Sequence, residues 1–272
     1  MAIPIFYINM ASRPDRRKLM EAQFERLGIS AERIEAATPL EITEQDRDAY
    51  CNRKHSNWMA EAEFACNLSH MRLWATFVNR GLERALILED DAILSASLPR
   101  FLAAMEAPGL DLPLVRLETI NLETRVLPPD YQVLPDIALR RAITRDSGAC
   151  GYILSRDAAR QLLERPEMKT TLVDGVLFNP FIAIARALDV HYADPALAIQ
   201  LDRFEKTQSQ LGHSDLKQWR VDRYHQWSKR PLLKLLLKIK SWIDYDLQLA
   251  VSRLKYRQGS GLEVKVIPFK VD

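Results

Sequence analysis

The stretch Leu86-Ile87-Leu88-Glu89-Asp90-Asp91-Ala92-Ile93-Leu94 places three consecutive carboxylates between two apolar runs. The run from Ala85 to Leu88 has the length and composition of a buried strand, so the acidic triplet, Glu89 to Asp91, comes at its carboxyl end. Three adjacent like charges repel one another and lose hydration there unless a positive group compensates them. The stretch therefore predicts either arginine partners or a capped turn, or else a bound cation.

Strands and helices alternate on both sides of this stretch. Apolar runs predict strands at 3–8, 29–37 and 114–117, and helical spacing closed by glycine predicts helices at 12–27 and 61–80. A helix at 99–107 and a strand-helix pair at 152–164 continue the pattern. This alternation is typical of an α/β fold with a mostly parallel sheet flanked by helices. Because ligands of such sheets collect at the carboxyl ends of strands, Asn9 and Asp91 are predicted at the ligand site.

The composition is that of an ordinary globular protein, with 47% hydrophobic and 27% charged residues among 272 and a net charge of +2. Three cysteines without a Cys-x-x-Cys pair argue against a disulfide framework or a zinc site and favour reduced thiols. We find neither a signal-peptide pattern nor a stretch as long as a transmembrane helix, so we expect a cytoplasmic protein. No feature predicts a nucleic-acid partner.

The last part of the sequence is basic. Residues 229–257 contain eight basic and two acidic side chains, a net charge of +6, and apolar residues recur there at helical spacing. That apolar stripe consists of Leu232, Leu236, Ile239, Ile243, Leu247, Ala250 and Leu254. We therefore predict a catalytic domain at 1–212 and a basic amphipathic helical extension at 213–272. The extension either attaches to anionic lipid on the inner face of the cytoplasmic membrane or packs on the core.

Six sequence segments occur in the order typical of one family. They are Phe6-Tyr7-Ile8-Asn9 with Arg13-Pro14-Asp15-Arg16-Arg17, Ala65-Cys66-Asn67-Leu68-Ser69-His70, the stretch 86–91, Val115-Arg116-Leu117-Glu118, residues 148–155, and Val173-Asp174. Together they make the chain, from about residue 3 to 200, resemble glycosyltransferase family 25, the lipopolysaccharide and lipooligosaccharide glycosyltransferases. The family usually has glycine where Ala65 stands.

The resemblance implies a glycosyltransferase A-type, Rossmann-like fold and a UDP-sugar donor, UDP-galactose or UDP-glucose. It also implies a divalent metal, Mn²⁺ with Mg²⁺ as the alternative, held by a variant of the Asp-x-Asp motif. In that arrangement Asp91 and Glu89 are the metal ligands, because side chains of an extended segment alternate. Asp90 is then expected to contact the ribose or the sugar.

Other site residues follow from the same resemblance. Asn9, Arg13 and Arg16 lie beyond the first strand, where such folds receive the nucleotide, and an arginine there neutralises diphosphate or else belongs to a solvated helix face. His70 either contacts the donor or is a hydrogen-bonded core histidine. His191 and His213 are possible additional metal ligands, and we interpret Cys66 and Cys150 as small apolar residues.

The catalytic base is expected among carboxylates outside the triplet. Asp174 is either a helix N-cap or the group that deprotonates the acceptor hydroxyl, and Glu118 is the second candidate.

We expect a metal-dependent, inverting hexosyltransferase that acts on a lipopolysaccharide or other surface glycan. The alternatives are a non-catalytic carbohydrate-binding or scaffold protein, and a nucleotidyltransferase, although no Gly-rich loop opens the chain.

Overall fold

A computed structural model describes residues 2–52, 54, 58–204 and 261–271, together with six single positions (235, 236, 239, 242, 243 and 250). The chain opens with strand β1 (Ile5–Asn9), helix α1 (Pro14–Leu27) and strand β2 (Glu32–Glu35). All five residues of β1 are buried, and β1 pairs in parallel with β2. Helix α1 ends at Gly28, whose φ of 63° is left-handed and lets its N–H reach the carbonyls of the last turn.

The central sheet has nine strands in the order β12-β7-β8-β10-β5-β9-β3-β1-β2. The strands not yet given are β3 (Arg84–Glu89), β5 (Leu114–Arg116), β7 (Glu123–Leu134), β8 (Ile137–Ala142), β9 (Gly151–Ser155), β10 (His191–Asp194) and β12 (Glu263–Val266).

Three of the eight strand pairs are parallel: β1 with β2, β1 with β3, and β5 with β10. The other five are antiparallel, because β9 runs in the opposite direction between β3 and β5 and a long hairpin, β7–β8, widens the sheet. The prediction of helices flanking a large sheet is confirmed. The prediction that the sheet is mostly parallel is wrong.

A second, three-stranded sheet lies at the carboxyl ends of β3 and β5. Its order is β4 (Ala92–Leu94), β11 (Ala198–Gln200) and β6 (Glu118–Thr119). Gln200 pairs with Ala92, and the Leu201 N–H donates to the Asp91 carbonyl at 2.8 Å. This small sheet therefore brings residues 200–203 beside the acidic triplet.

Helices cover both faces of the central sheet. Met20 and Phe24 of α1 and Phe101 of α4 (Leu98–Ala104) belong to one buried cluster. Helices α3 (Glu61–Asn79) and α5 (Arg156–Leu163) contribute Trp74 and Leu162 to a second cluster on the opposite face. The remaining helices are α2 (Glu44–Tyr50), α6 (Val173–Phe178), α7 (Ala183–Ala187) and α8 (Leu201–Phe204). None of the helices in the described part of the chain has the length and hydropathy needed to cross a bilayer.

The last described residues return to the central sheet. Strand β12 pairs antiparallel with β7, Thr119 Oγ1 donates to the Ile267 carbonyl at 2.6 Å, and Lys265 Nζ is 2.7 Å from Asp194. The predicted helical extension at 213–272 is therefore wrong for residues 261–271, whose alternating Glu-Val-Lys-Val sequence forms an edge strand. In the apolar stripe, the four described residues are exposed, namely Leu236, Ile239, Ile243 and Ala250, and the others lie outside the described residues.

Candidate active site

A cavity of about 400 Å³ opens at the carboxyl ends of β1 and β3. Its walls come from one face of α3, the first turn of α6, the loop 147–149 and residues 200–203. The volume falls within the usual range for small-molecule pockets, about 300–1,000 Å³. All three carboxylates of the acidic triplet line it.

The middle carboxylate of the triplet is neutralised within the protein. Asp90 is 8% exposed, accepts from Asn9 Nδ2 at 2.7 Å and pairs with Arg16 Nη1 at 2.9 Å. Asn9 is 1% exposed and also accepts, through Oδ1, from Arg33 Nε at 2.9 Å. Asn9, Arg16 and Asp90 are thus brought together as predicted, but as a network that fixes the turn after β3.

The third carboxylate lacks such compensation. Asp91 Oδ2 is 3.6 Å from Arg16 Nη1, whose closer partner is Asp90, and Asp91 Oδ1 is buried with no hydrogen-bond partner among the described residues. Burial, reinforced by the negative charge of Glu89, raises the pKa of Asp91 to about 7. An unpartnered carboxylate oxygen beside a second carboxylate is the donor set that hard divalent cations prefer, so these residues fit such an ion.

Glu89 is held by a chain of buried hydrogen bonds. Trp74 Nε1 donates to Tyr152 Oη at 2.9 Å, and Tyr152 Oη lies 2.8 Å from His70 Nδ1. Burial lowers the pKa of His70 to about 4, so the imidazole is neutral at pH 7. Because Tyr152 accepts from Trp74, we assign its own hydrogen to His70 Nδ1. The proton of His70 is then on Nε2, which donates to Glu89 Oε1 at 3.1 Å.

Asp174 enters the same pocket from the first turn of α6. Its Oδ2 accepts from the Gly148 N–H at 3.0 Å and its Oδ1 from the Gly175 N–H at 2.7 Å. Both bonds come from backbone groups, so they fix the direction of the carboxylate. Asp174 therefore lines the same cavity as the triplet in a fixed orientation.

Glu118 lies beneath the pocket floor. Its side chain is 0% exposed and 3.4 Å from Arg116 Nη2, and its Oε2 accepts from the Cys150 N–H at 3.0 Å. Gly148 has φ of 89°, and its Cα lies so close to the Glu118 carboxylate that an added Cβ would collide with Oε1. Burial raises the pKa of Glu118 to about 7 despite Arg116. The carboxylate is enclosed, which argues against Glu118 as the group that meets an acceptor.

Arg116 supports the same floor. It is 1% exposed, donates to the Ser147 carbonyl at 2.5 Å, and its guanidinium carbon lies 4.5 Å from the centroid of the Phe178 ring. Together, Arg116, Glu118 and Asp174 each bind the backbone of residues 147–150. These three charged groups therefore fix the loop that forms one pocket wall.

The other predicted site residues separate into two groups. Arg13 and Cys66 line the pocket. Arg13 forms an ion pair with Asp15, with 2.9 Å between Nη2 and Oδ2. His191 is buried on β10 and bonds to the Asp189 carbonyl at 2.8 Å and Asp130 at 3.3 Å. His191 does not line the cavity that the triplet lines, so the structure does not support the possibility that it is an additional metal ligand. His213 lies outside the described residues.

The structure adds residues that the sequence analysis missed. Asp202 and Arg203 line the pocket, and the charge of Asp202 contributes to the raised pKa of Asp91. Arg203 Nη1 donates to the Ile120 carbonyl at 2.9 Å. No motif marks residues 200–204, and only the pairing of β11 with β4 places them here.

The fold and site define an α/β enzyme with an acidic ligand pocket at the strand ends. The model of glycosyltransferase family 25, described as lipopolysaccharide biosynthesis proteins, matches residues 2–177. The chain belongs to glycosyltransferase family 25 and is a glycosyltransferase.

The chain is similar to several named glycosyltransferases, two of them over nearly its whole length. It is 29% identical over 280 residues to the lacto-N-neotetraose biosynthesis glycosyltransferase LgtE of Neisseria meningitidis serogroup B, covering 97% of this chain and 98% of that one. LgtB of the same organism is also 29% identical, over 283 residues with the same coverage. Procollagen galactosyltransferase 1 of Danio rerio is 25% identical over 180 residues, 62% of this chain and 29% of its own.

Among solved structures, a glycosyltransferase involved in glycosylation of the PBCV-1 major capsid covers 76% of this chain and all of its own. The TM-score is 0.36 at 11% identity, so this likeness adds no functional argument.

Proposed function

We propose that the protein transfers a hexose, galactose or glucose, from a UDP-sugar to a lipopolysaccharide or other surface-glycan acceptor, with inversion at the anomeric carbon and a divalent ion, Mn²⁺ or Mg²⁺. The observation that carries the proposal is the buried Oδ1 of Asp91, which lies beside Glu89 in the pocket and has no hydrogen-bond partner in the part of the chain that the structure describes. The names of the relatives support a glycan acceptor and, for the Danio rerio protein, a galactosyl donor.

Asp91 and Glu89 are the residues that would hold the ion. When bound, a divalent cation neutralises the charge that develops on a departing diphosphate. Within the described part of the chain, Arg16 is the basic side chain paired with the triplet, at Asp90 and Asp91, and the neighbouring His70 is neutral, so the three carboxylates carry excess negative charge when no cation is bound. This excess negative charge would repel a diphosphate, so the donor and the cation are expected to bind together.

The nucleotide side of the pocket is assigned to Arg13 and Arg16. Both line the cavity, and a guanidinium can bind phosphate oxygens through two N–H groups at once. Asn9 and Asp90 act from behind this wall by fixing the Arg16 side chain. The role of His70 in this proposal is to fix the Glu89 side chain through a hydrogen bond, not to contact the donor.

Asp174 is the proposed catalytic base. Inverting transfer needs a carboxylate within hydrogen-bond reach of the acceptor hydroxyl, and the acceptor oxygen then attacks as the bond to diphosphate breaks. Asp174 lines the same cavity as the triplet, and the N–H groups of Gly148 and Gly175 hold it there. The proton of the acceptor hydroxyl would pass to this carboxylate.

Measurement of donor turnover tests the proposal. Purified protein is incubated with UDP-galactose, UDP-glucose and the two UDP-N-acetylhexosamines, with Mn²⁺, Mg²⁺ or EDTA, and released UDP is measured with and without a lactose-type acceptor. We expect one hexose donor to be consumed only with a divalent ion. Full turnover in EDTA would contradict the role of the ion. Consumption of the UDP-sugar only when inorganic diphosphate is added, with UTP and hexose 1-phosphate as products, would favour a nucleotidyltransferase.

The Asp174→Asn variant tests the assignment of the base. Asparagine is nearly isosteric but does not accept the proton, so kcat is expected to fall by about 10²–10⁴-fold while donor affinity changes little. Asp157→Asn is the matched control, since Asp157 is 81% exposed on α5. Near-normal turnover of Asp174→Asn would move the role to another carboxylate of the pocket.

We assign the basic stretch 229–257 to attachment at an anionic lipid surface. Leu235, Leu236, Ile239, Trp242 and Ile243 are each 46–56% exposed, which favours the membrane alternative over packing on the core. The stretch begins 25 residues after Phe204, whose ring contacts Phe269 with centroids 5.6 Å apart. Since Asp202 and Arg203 line the pocket, attachment would place the pocket near a lipid-linked acceptor.

Vesicle binding tests this assignment. Truncation after residue 212 is unsuitable because it removes β12, so Lys234, Lys238 and Lys240 are changed to Gln instead. Each basic charge near an anionic surface contributes about 1 kcal/mol, so binding to phosphatidylglycerol vesicles at low salt is expected to weaken about a hundredfold. The control changes exposed Arg17, Lys18 and Arg160 to Gln. Equal loss in both variants, or no binding by the unaltered protein, would contradict the assignment.

A further inference from the structure

Three donor atoms of different chemistry converge on the side of the pocket formed by α3. Cys66 Sγ, His70 Nε2 and a carboxylate oxygen of Glu89 all lie within 4.8 Å of one another. Cys66 and His70 are four residues apart on α3 and therefore share a helix face, and Glu89 ends β3 opposite them. All three line the cavity, so an ion can reach them from solvent.

The chemistry of this cluster differs from that of Asp91. Carboxylate oxygens alone suit Mg²⁺ and Mn²⁺, whereas thiolate and imidazole select softer ions such as Zn²⁺ and Co²⁺. Three protein ligands, with the fourth coordination position open to water, are the arrangement found in zinc sites that are not closed by a fourth protein ligand. The cluster therefore favours a different class of cation from the one that the acidic triplet favours.

The surroundings of His70 also resemble those of a metal ligand. A ligating histidine normally donates its second ring N–H to a fixed neighbour. Tyr152 Oη lies 2.8 Å from His70 Nδ1 and is itself fixed by Trp74 Nε1 at 2.9 Å. With a cation on Nε2, the imidazole proton moves to Nδ1 and is donated to Tyr152 Oη, whose own hydroxyl hydrogen rotates away from His70. The Cys66 thiol releases its proton to solvent, and Glu89 exchanges the His70 N–H for the cation.

We infer that Cys66, His70 and Glu89 form a binding site for a soft divalent cation, Zn²⁺ being the natural example. Because Glu89 is shared with the acidic triplet, occupancy of this site withdraws Glu89 from the hard-cation position and inhibits sugar transfer. The binding site stands on the geometry alone, whereas the inhibition rests on the proposed function.

Cobalt binding tests the site without nucleotide or turnover. The reduced full-length protein is titrated with Co²⁺, and the sulfur-to-cobalt charge-transfer absorption is recorded. We expect one equivalent to give this band, Zn²⁺ to remove it, and Cys66→Ser and Cys66→Ala to abolish it. Cys51→Ser, at a buried thiol elsewhere, is the matched control and should retain it. No band, or an unchanged band in both folded Cys66 variants, would overturn the inference.

Two further variants separate this site from the acidic triplet. Asp91→Asn should keep the cobalt band, since Asp91 is not a ligand here. Tyr152→Phe should weaken Co²⁺ binding about 10–100-fold, the usual effect of losing an outer partner of a ligand. The matched control is Tyr192→Phe, a buried tyrosine on β10. Loss of the band in Asp91→Asn, or equal binding in both tyrosine variants, would contradict the ligand assignment.

The inhibition is tested with Mn²⁺ and donor at saturation. Micromolar Zn²⁺ should inhibit the unaltered protein. Half-inhibition of Cys66→Ser should need a Zn²⁺ concentration at least ten times higher, where the activity of each protein is normalised to its own rate without Zn²⁺. A cobalt band without this difference would overturn the coupling through Glu89. Absence of transfer under every condition would contradict the proposed function and leave the cobalt result standing.

Discussion

Two carboxylates close to the pocket, Glu118 and Asp91, both have a raised pKa but lie in different surroundings. Burial raises the pKa of each to about 7. Glu118 has its own guanidinium, Arg116 at 3.4 Å, and a backbone N–H from Cys150 at 3.0 Å. Asp91 shares Arg16 with the more closely paired Asp90 and lines the cavity, which Glu118 does not. Each carboxylate has one buried oxygen without a hydrogen-bond partner among the described residues, Oδ1 of Asp91 and Oε1 of Glu118.

The presence or absence of a counter-charge within the protein distinguishes a carboxylate that stabilises the fold from one that binds a ligand. A buried charge is tolerated when the fold supplies its counter-charge, as Arg116 does beneath the pocket floor. Where the fold leaves negative charge uncompensated on a pocket wall, the counter-charge is expected from solution. On this reasoning Glu118 fixes the loop 147–150, and Asp91 binds a cation.

The largest expected effect on stability comes from Glu118→Gln. This change removes the carboxylate that lies 3.4 Å from the enclosed Arg116, and breaking a buried ion pair in this way costs about 3–5 kcal/mol of the free energy of unfolding. Denaturant unfolding monitored by circular dichroism measures the loss. Adding Arg116→Met to the same variant should restore part of the stability, because the uncompensated charge is then removed. Unchanged stability in Glu118→Gln would remove the basis of the comparison.

Asp91→Asn should have the complementary effect. Removal of one group that stabilises developing charge lowers the rate of transfer by about 10²–10³-fold. The free energy of unfolding should stay equal or rise, since repulsion within the triplet decreases. Initial rates and denaturant unfolding are compared with those of Asp157→Asn, at an exposed site on α5. Large destabilisation with normal turnover would reverse the roles of Asp91 and Glu118.

A smaller effect is expected from Gly148→Ala, which tests how closely Glu118 supports the loop. The residue has φ of 89°, and an added Cβ would meet the Glu118 carboxylate. Backbone strain of this kind costs about 1–3 kcal/mol. Gly109→Ala is the control, because its φ of 91° is equally left-handed but nothing lies within 4 Å of the added atom. Gly148→Ala should lose more stability than Gly109→Ala, and equal losses would contradict the close support.

Local signals in the sequence predicted the parts of the fold that one segment can specify. Pro14 and Gly28 mark the two ends of α1, and the apolar run before the triplet predicted β3. Strand direction could not be predicted, because alternation gives the order of elements but not which way β9 runs. Strand β7 could not be predicted because it contains Pro128 and Pro129, and proline is unusual within strands. In the structure the prolines accompany irregular pairing of β7 with β8.

The candidate site divides in the same way. The triplet, Arg16 and Asp174 were found because they belong to motifs, and the structure places all of them around one cavity. Tyr152, which sets the proton position on His70, belongs to the family segment 148–155, but a separation of 82 positions along the chain concealed its hydrogen bond to His70. Asp202 likewise reaches Asp91 only through the pairing of β11 with β4.

Binding of Mn²⁺ tests the central claim, that Asp91 holds a cation together with the donor diphosphate, most directly. Free Mn²⁺ is measured by electron paramagnetic resonance while protein is added, with and without UDP, for the unaltered chain, Asp91→Asn and Glu118→Gln. We predict that UDP tightens Mn²⁺ binding to one site in the unaltered protein and in folded Glu118→Gln, and that Asp91→Asn loses this binding. Equal UDP-dependent Mn²⁺ binding in Asp91→Asn and the unaltered protein would contradict the account.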